Sequence, residues 1–181
     1  GGLPGSPAHG MWGGNRIDAK PAEFWRTAEL NAMARELQPG IMIDNRLDLP
    51  GVGDFVTREQ FQPKECPKNE DGTPAVWEAC QTFSGSWGYH RDEMTWKTVD
   101  QVVRMLIDGV SKGGNMLMNV GPTGRGEIDY RARGCLEGIG QWMHYNSRSI
   151  YGCGMAPDGM EAPVDCRYTY NPETNRLYLH I

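Results

Sequence analysis

The chain has 181 residues, 39% of them hydrophobic and 23% charged, and carries a formal net charge of −5. That balance suits a folded domain with a core and excludes a disordered chain. The acidic excess and the lack of a Lys/Arg block argue against nucleic acid or anionic membrane as partners, and no apolar run reaches membrane-spanning length.

Residues 1–10, Gly1 through Gly10, show neither helical nor strand periodicity and read as a leader foreign to the fold. Pro21 then opens a predicted helix, at a position where its missing N–H costs nothing. Phe24, Trp25, Ala28, Leu30, Met33, Ala34 and Leu37 recur at helical spacing, and Pro39-Gly40 stops them. Ile41-Met42-Ile43 is too short for a helix and predicts a strand running into the polar Asp44-Asn45-Arg46.

Residues 47–97 are dense in turn formers, among them Pro50, Gly51, Gly53, Pro63, Pro67, Gly72 and Pro74. They also hold Phe55, Phe61, Trp77, Trp87, Tyr89 and Trp96, too many aromatics for a disordered segment. The expectation is a functional loop packed over a barrel mouth, broken by one short strand near residues 77–82. Thr98 and Gln101 form a capping-box pattern ahead of Val99, Val102, Val103, Leu106, Ile107 and Val110. Gly113-Gly114 supplies a left-handed stop, and an apolar strand is predicted over residues 116–120. Asp129 caps a further helix whose apolar face is Leu136, Ile139, Gly140 and Met143, widened by Trp142. Beyond Tyr151-Gly152, Pro157, Gly159 and Pro163 read as a linker. Residues 167–170 and 177–181 then alternate as two strands around an Asn/Pro turn.

This order predicts an α/β fold: the C-terminal half of a (β/α)8 TIM-type barrel at residues 11–152, then the start of a β-sandwich domain at residues 153–181. So few strands cannot close a barrel, which leaves an open edge to be covered. In such barrels chemistry sits at the carboxyl ends of strands, where Asn119 falls. Five cysteines without a CxxC pair predict no zinc site. Cys66 and Cys80 flank one loop and stand either as a disulfide or as free thiols. His90, His144 and His180 fall in no ligand spacing, and Gly121–Gly126 lacks the Lys-Ser/Thr ending of a phosphate loop.

Asp44, Asp48, Asp54, Glu59, Glu65, Glu70 and Glu78 lie near the expected mouth, and residue type alone does not choose among them. Ordered motifs do. They are Pro39 to Arg46, Gly53 to Gln60, Trp77-Glu78-Ala79-Cys80, Ser86-Trp87-Gly88-Tyr89, Ser111 to Thr123, and Ile139 to Gly152. In sequence and spacing, over roughly residues 10–152, this run resembles the α-L-fucosidases of glycoside hydrolase family 29.

The resemblance implies a retaining exo-α-L-fucosidase that hydrolyses terminal α-L-fucosides of oligosaccharides or glycoconjugates by double displacement between two carboxyl groups. It implies no metal or other cofactor, and a secreted, periplasmic or lysosomal location; a homo-oligomer stays open. Glu59 takes the general acid/base position, and Glu78 is the alternative acid. Arg46 is matched to fucose hydroxyls or the nucleophile, against a plain barrel-mouth salt bridge. Trp87 is matched to the C6 methyl of fucose, against ordinary core packing. Trp12 belongs to Gly10-Met11-Trp12, which follows the family's Asp nucleophile and joins the substrate-binding set. His9 stands where that Asp belongs. The chain is therefore expected to lack the nucleophile and to be inactive as it stands, with a non-catalytic fucose-binding remnant as the alternative.

Overall fold

The structure is a computed structural model that describes residues 20–181. The leader, Gly10-Met11-Trp12 and His9 lie outside the described residues. The chain forms two compact units, with the boundary between Glu59 and Gln60.

The first unit opens with α1 (Ala22–Trp25) and α2 (Thr27–Leu37). The single helix expected here is split at Arg26, whose φ of 52° is left-handed and whose N–H closes α1 on Ala22 and Glu23. Periodicity cannot see this break, because the apolar spacing continues across it. The apolar stripe also stays uncovered among the described residues: Phe24 is 57% exposed, Trp25 61% and Leu37 79%. The predicted strand at residues 41–43 is reduced to one parallel bridge between Asp44 and Phe55, supported by Asp54 N–H donating to the Ile43 carbonyl at 2.7 Å. Three residues are too few to sustain a ladder. A strand that the sequence reading assigned to loop follows, β1 (Val56–Glu59). Its four residues are mostly polar, so they give no apolar signal.

The second unit is a β-α-β step with a helix and hairpin attached. β2 (Trp77–Thr82) and β3 (Gly114–Asn119) run parallel, in register from Trp77 opposite Gly114 to Thr82 opposite Asn119. α3 (Val99–Ser111) crosses between them. The Thr98/Gln101 capping box forms with both of its bonds, and Gly113 turns the chain at φ 72°. Asp129 caps α4 (Tyr130–Asn146) by accepting the Arg131 N–H. Ala132 and Cys135 carry the buried side of α4, whereas Leu136, predicted to face the core, is 38% exposed.

The core joins Phe83, Val102, Ala132 and Cys135, with Trp96, Val99, Met116, Met118 and Val120 packed around them. Trp77 is wholly buried, and its indole N–H donates to the Lys112 carbonyl at 3.0 Å. A Cβ on Gly114 would meet that ring at 2.2 Å, so glycine here is a requirement of close approach.

A 3-10 turn (Ser147–Ser149) leads on to the antiparallel hairpin β4 (Arg167–Asn171) and β5 (Arg176–His180). Buried Thr169 donates to the Ser149 carbonyl at 2.7 Å, and Arg167 bonds Asp108 of α3 at 2.8 Å. Among the described residues, no disulfide joins Cys66 to Cys80.

Candidate functional site

The first unit brings two of the predicted site residues together. The Asp44–Phe55 bridge sets the short strand end beside β1. Asp54 locks that junction: the Ile43 N–H donates to its carboxylate at 2.8 Å and Arg35 at 3.0 Å. The Ile43 amide, then the Arg35 side chain, hold this carboxyl below the usual carboxylate range. Asp54 is thus a structural carboxylate. Gly53, at φ 126°, lies so close to Asn45 that a Cβ would stand 2.9 Å from its Cα.

Above this junction the polar groups converge on Arg46. Its N–H donates to the Asp44 carboxylate at 3.1 Å. The Asn45 side-chain oxygen accepts from the Thr57 N–H at 3.2 Å and the Thr57 hydroxyl at 3.3 Å. That fixes the Thr57 Oγ1, which accepts from Arg46 Nε at 2.6 Å. Arg46 Nη1 then reaches Glu59 Oε1 at 3.1 Å. Glu59 is the last residue of β1, so its carboxyl stands at the carboxyl end of a strand.

The side chains of Arg46 and Glu59 stay 42% and 38% exposed. A pair that open contributes only about 0–1 kcal/mol to stability. Fold stability therefore does not account for a relay of Asp44, Asn45 and Thr57 devoted to orienting it. Chemically it offers a solvent-reachable carboxyl group beside a planar donor fork with N–H groups to spare.

The sequence reading did not give Thr57 and Asn45 this orienting role. One signal was available: Thr57 and Glu59 stand two apart on a strand and so share a face.

Glu78 and Trp87 belong to the second unit. Glu78 is half-buried on β2, and strand alternation turns it away from the face that buries Trp77.

Trp87 is half-buried in a loop between β2 and α3 that is tied at several points. Ser86 donates to Glu93 at 3.2 Å, and the Thr95 N–H donates to Glu93 at 2.7 Å, joined by the Thr95 hydroxyl. The Thr95 side chain and amide hold the Glu93 carboxyl down to about 2. Arg131 of α4 donates to the Glu93 carbonyl at 3.0 Å and lies 4.4 Å over the Trp96 ring. From β3, Asn119 Nδ2 donates to the Trp87 carbonyl at 2.6 Å.

A partly open cleft lined by Phe83, Gly88, Tyr89, Asn119 and Gly121 has a volume of about 20 Å³, room for roughly one water. Neither Glu93 nor the Asn119–Trp87 bond was foreseen; each joins groups that only tertiary structure brings together.

The α-L-fucosidase sequence profile matches residues 6–148. The chain belongs to the α-L-fucosidase family. Human plasma α-L-fucosidase is 40% identical over 137 residues, which is 72% of this chain and 29% of that one. The structure of α-L-fucosidase isoenzyme 1 from Paenibacillus thiaminolyticus superposes with a TM-score of 0.81 at 46% identity, over 89% of this chain and 39% of that one. A GH29 α-L-fucosidase from Bacteroides thetaiotaomicron, held as a trapped covalent intermediate in a Glu-to-Gln variant, gives 0.69 at 29% identity, over 84% and 38%. The chain therefore spans less than two fifths of the length of each of these glycoside hydrolases.

Proposed function

We propose that this chain carries the general acid/base part of a retaining exo-α-L-fucosidase, with Glu59 as the acid/base. In this reading Glu59 protonates the oxygen of the departing aglycone, then takes a proton from the water that releases L-fucose from a covalent fucosyl intermediate. Arg46 donates to sugar hydroxyls while fixing the Glu59 carboxyl, and Trp87 packs against the C6 methyl. The observation that carries the reading is the oriented, solvent-reachable Arg46–Glu59 pair, 3.1 Å apart at the end of β1. The covalent intermediate trapped in the Bacteroides relative supports double displacement and a catalytic glutamate.

The nucleophile is assigned to an Asp supplied outside residues 10–181, because His9 occupies the family's Asp position before Gly10-Met11-Trp12. Residues 11–152 are then the C-terminal half of a (β/α)8 barrel, and the hairpin opens a β-sandwich domain. The substrate is a fucosylated oligosaccharide or glycoconjugate, and the setting secreted, periplasmic or lysosomal. By itself the 181-residue chain is proposed not to hydrolyse an aryl fucoside.

The test is Glu59→Ala in the fucosidase that includes this segment. Turnover of natural linkages, whose leaving groups need a proton, should fall about 10²–10⁴-fold, while an activated aryl fucoside still reaches the fucosyl-enzyme stage. Wild-type turnover of natural linkages removes Glu59 from the role.

A further inference from the structure

The Ser111–Thr123 segment is one of the family motifs in the chain, and it takes no part in the hydrogen bonds that join Arg46 to Asp44, Thr57 and Glu59. We propose that Asn119 and Gly121 are positioning residues that clamp the Trp87 backbone, and so set how well the site separates a 6-deoxy sugar from its 6-hydroxy counterpart. The proposal rests on the reading of Trp87 given above.

The loop that carries Trp87 is gripped from both flanks. On one flank the Ser86 hydroxyl donates to Glu93 at 3.2 Å, and the Ser86 N–H donates to the Ser84 hydroxyl at 3.3 Å. A Cβ on Gly85 would meet Glu93 and Thr95 at 3.1 Å, so the loop lies tightly on that carboxylate. On the other flank stands the end of β3. Asn119, its last residue, donates from Nδ2 to the Trp87 carbonyl at 2.6 Å. Two residues on, a Cβ on Gly121 would lie 2.5 Å from both the Gly88 carbonyl carbon and the Tyr89 nitrogen. Gly121 has no left-handed φ, so its glycine serves this close approach alone.

Asn119 and Gly121 thus hold the peptide on either side of Gly88, and the indole hangs from the first of the clamped residues. Aspartate in place of Asn119 keeps the shape but puts an acceptor against the Trp87 carbonyl, which pushes the loop away. A displaced indole loses contact with a methyl group sooner than it loses the rest of a sugar. Selectivity therefore falls before affinity does.

The test uses the 181-residue chain with 5-fluorotryptophan incorporated, read by fluorine NMR. Trp87→Phe assigns the Trp87 resonance, and the core Trp77 resonance reports folding. Titrations with L-fucose and L-galactose give the preference for the 6-deoxy sugar, on the order of 10-fold for one buried methyl. In Asn119→Asp the Trp87 resonance should shift or split while Trp77 stays, and the preference should drop to about two-fold or less. Gly121→Ala should do the same from the neighbouring peptide, and it carries the test if Asn119→Asp loses the Trp77 signal. An unmoved Trp87 resonance in these variants overturns the clamp. A moved resonance with the preference intact overturns its role in selectivity. Trp87→Ala with the preference intact, or a wild-type chain without one, removes the reading of Trp87 itself, whatever Asn119 does.

Discussion

Replacing Gly114 by alanine tests the packing that sets β2 against β3. A Cβ at Gly114 would stand 2.2, 2.3 and 2.6 Å from three atoms of the Trp77 ring. Carbon atoms settle at about 3.5–4.0 Å, so the ring has to retreat by about 1 Å or more. It has nowhere easy to go, being 0% exposed and pinned by its N–H to the Lys112 carbonyl. Overpacking of this kind costs about 1–3 kcal/mol, and a buried donor that loses its partner about 1–3 more. We expect a loss of about 3 kcal/mol in urea denaturation and a melting point lower by roughly 6–12 °C. Trp77→Leu removes the ring, so in the double variant the two costs should fail to add by about 1 kcal/mol or more. A Gly114→Ala chain within about 0.5 kcal/mol of wild type, or additive costs in the double variant, refutes the packing argument.

Three further outcomes follow from named contacts. Thr98→Ala removes the N-cap of α3 and should cost about 1 kcal/mol, read by denaturation, with faster amide exchange at Gln101. Glu93 has its carboxyl depressed to about 2 in the fold, so its stabilising contribution is complete above the unfolded value of about 4.3 and is lost as pH falls towards about 2. Glu93→Gln should therefore flatten acid unfolding within that window and leave the slope near neutrality unchanged. Burial opposes ionisation of Asp108, but Lys112 and Arg167 outweigh it and hold its carboxyl below the usual range. Asp108→Asn should accelerate hydrogen exchange in the β4–β5 hairpin and spare β2 and β3; equal protection throughout contradicts the tether.

What the sequence disclosed depended on how local the physics was. Thr98 with Gln101, Gly113 and Asp129 are caps whose chemistry is complete within a few residues, and each forms as read. The break at Arg26 involves no glycine or proline and leaves the apolar spacing intact, so nothing in the pattern marked it. Periodicity also says which face of α2 is apolar, but not what covers it. At the site, the order of family motifs singled out Arg46 and Glu59, and the structure joins them. Asn45 and Thr57 orient that pair across eleven or more residues of chain, and Asn119 reaches the Trp87 carbonyl across 32. Contacts of that range follow from how the strands pair, which no single motif encodes.

The central claim is that Glu59 is the acid/base and not the nucleophile. The most direct measurement is the anomeric configuration of the fucosyl azide formed by Glu59→Ala, in the fucosidase that includes this segment, with an activated aryl α-L-fucoside and external azide. If Glu59 is the acid/base, azide attacks the β-linked fucosyl-enzyme from the face the leaving group has vacated, giving α-L-fucosyl azide. The β anomer, formed by direct displacement on the substrate, would show that Glu59 is the nucleophile and contradict the account.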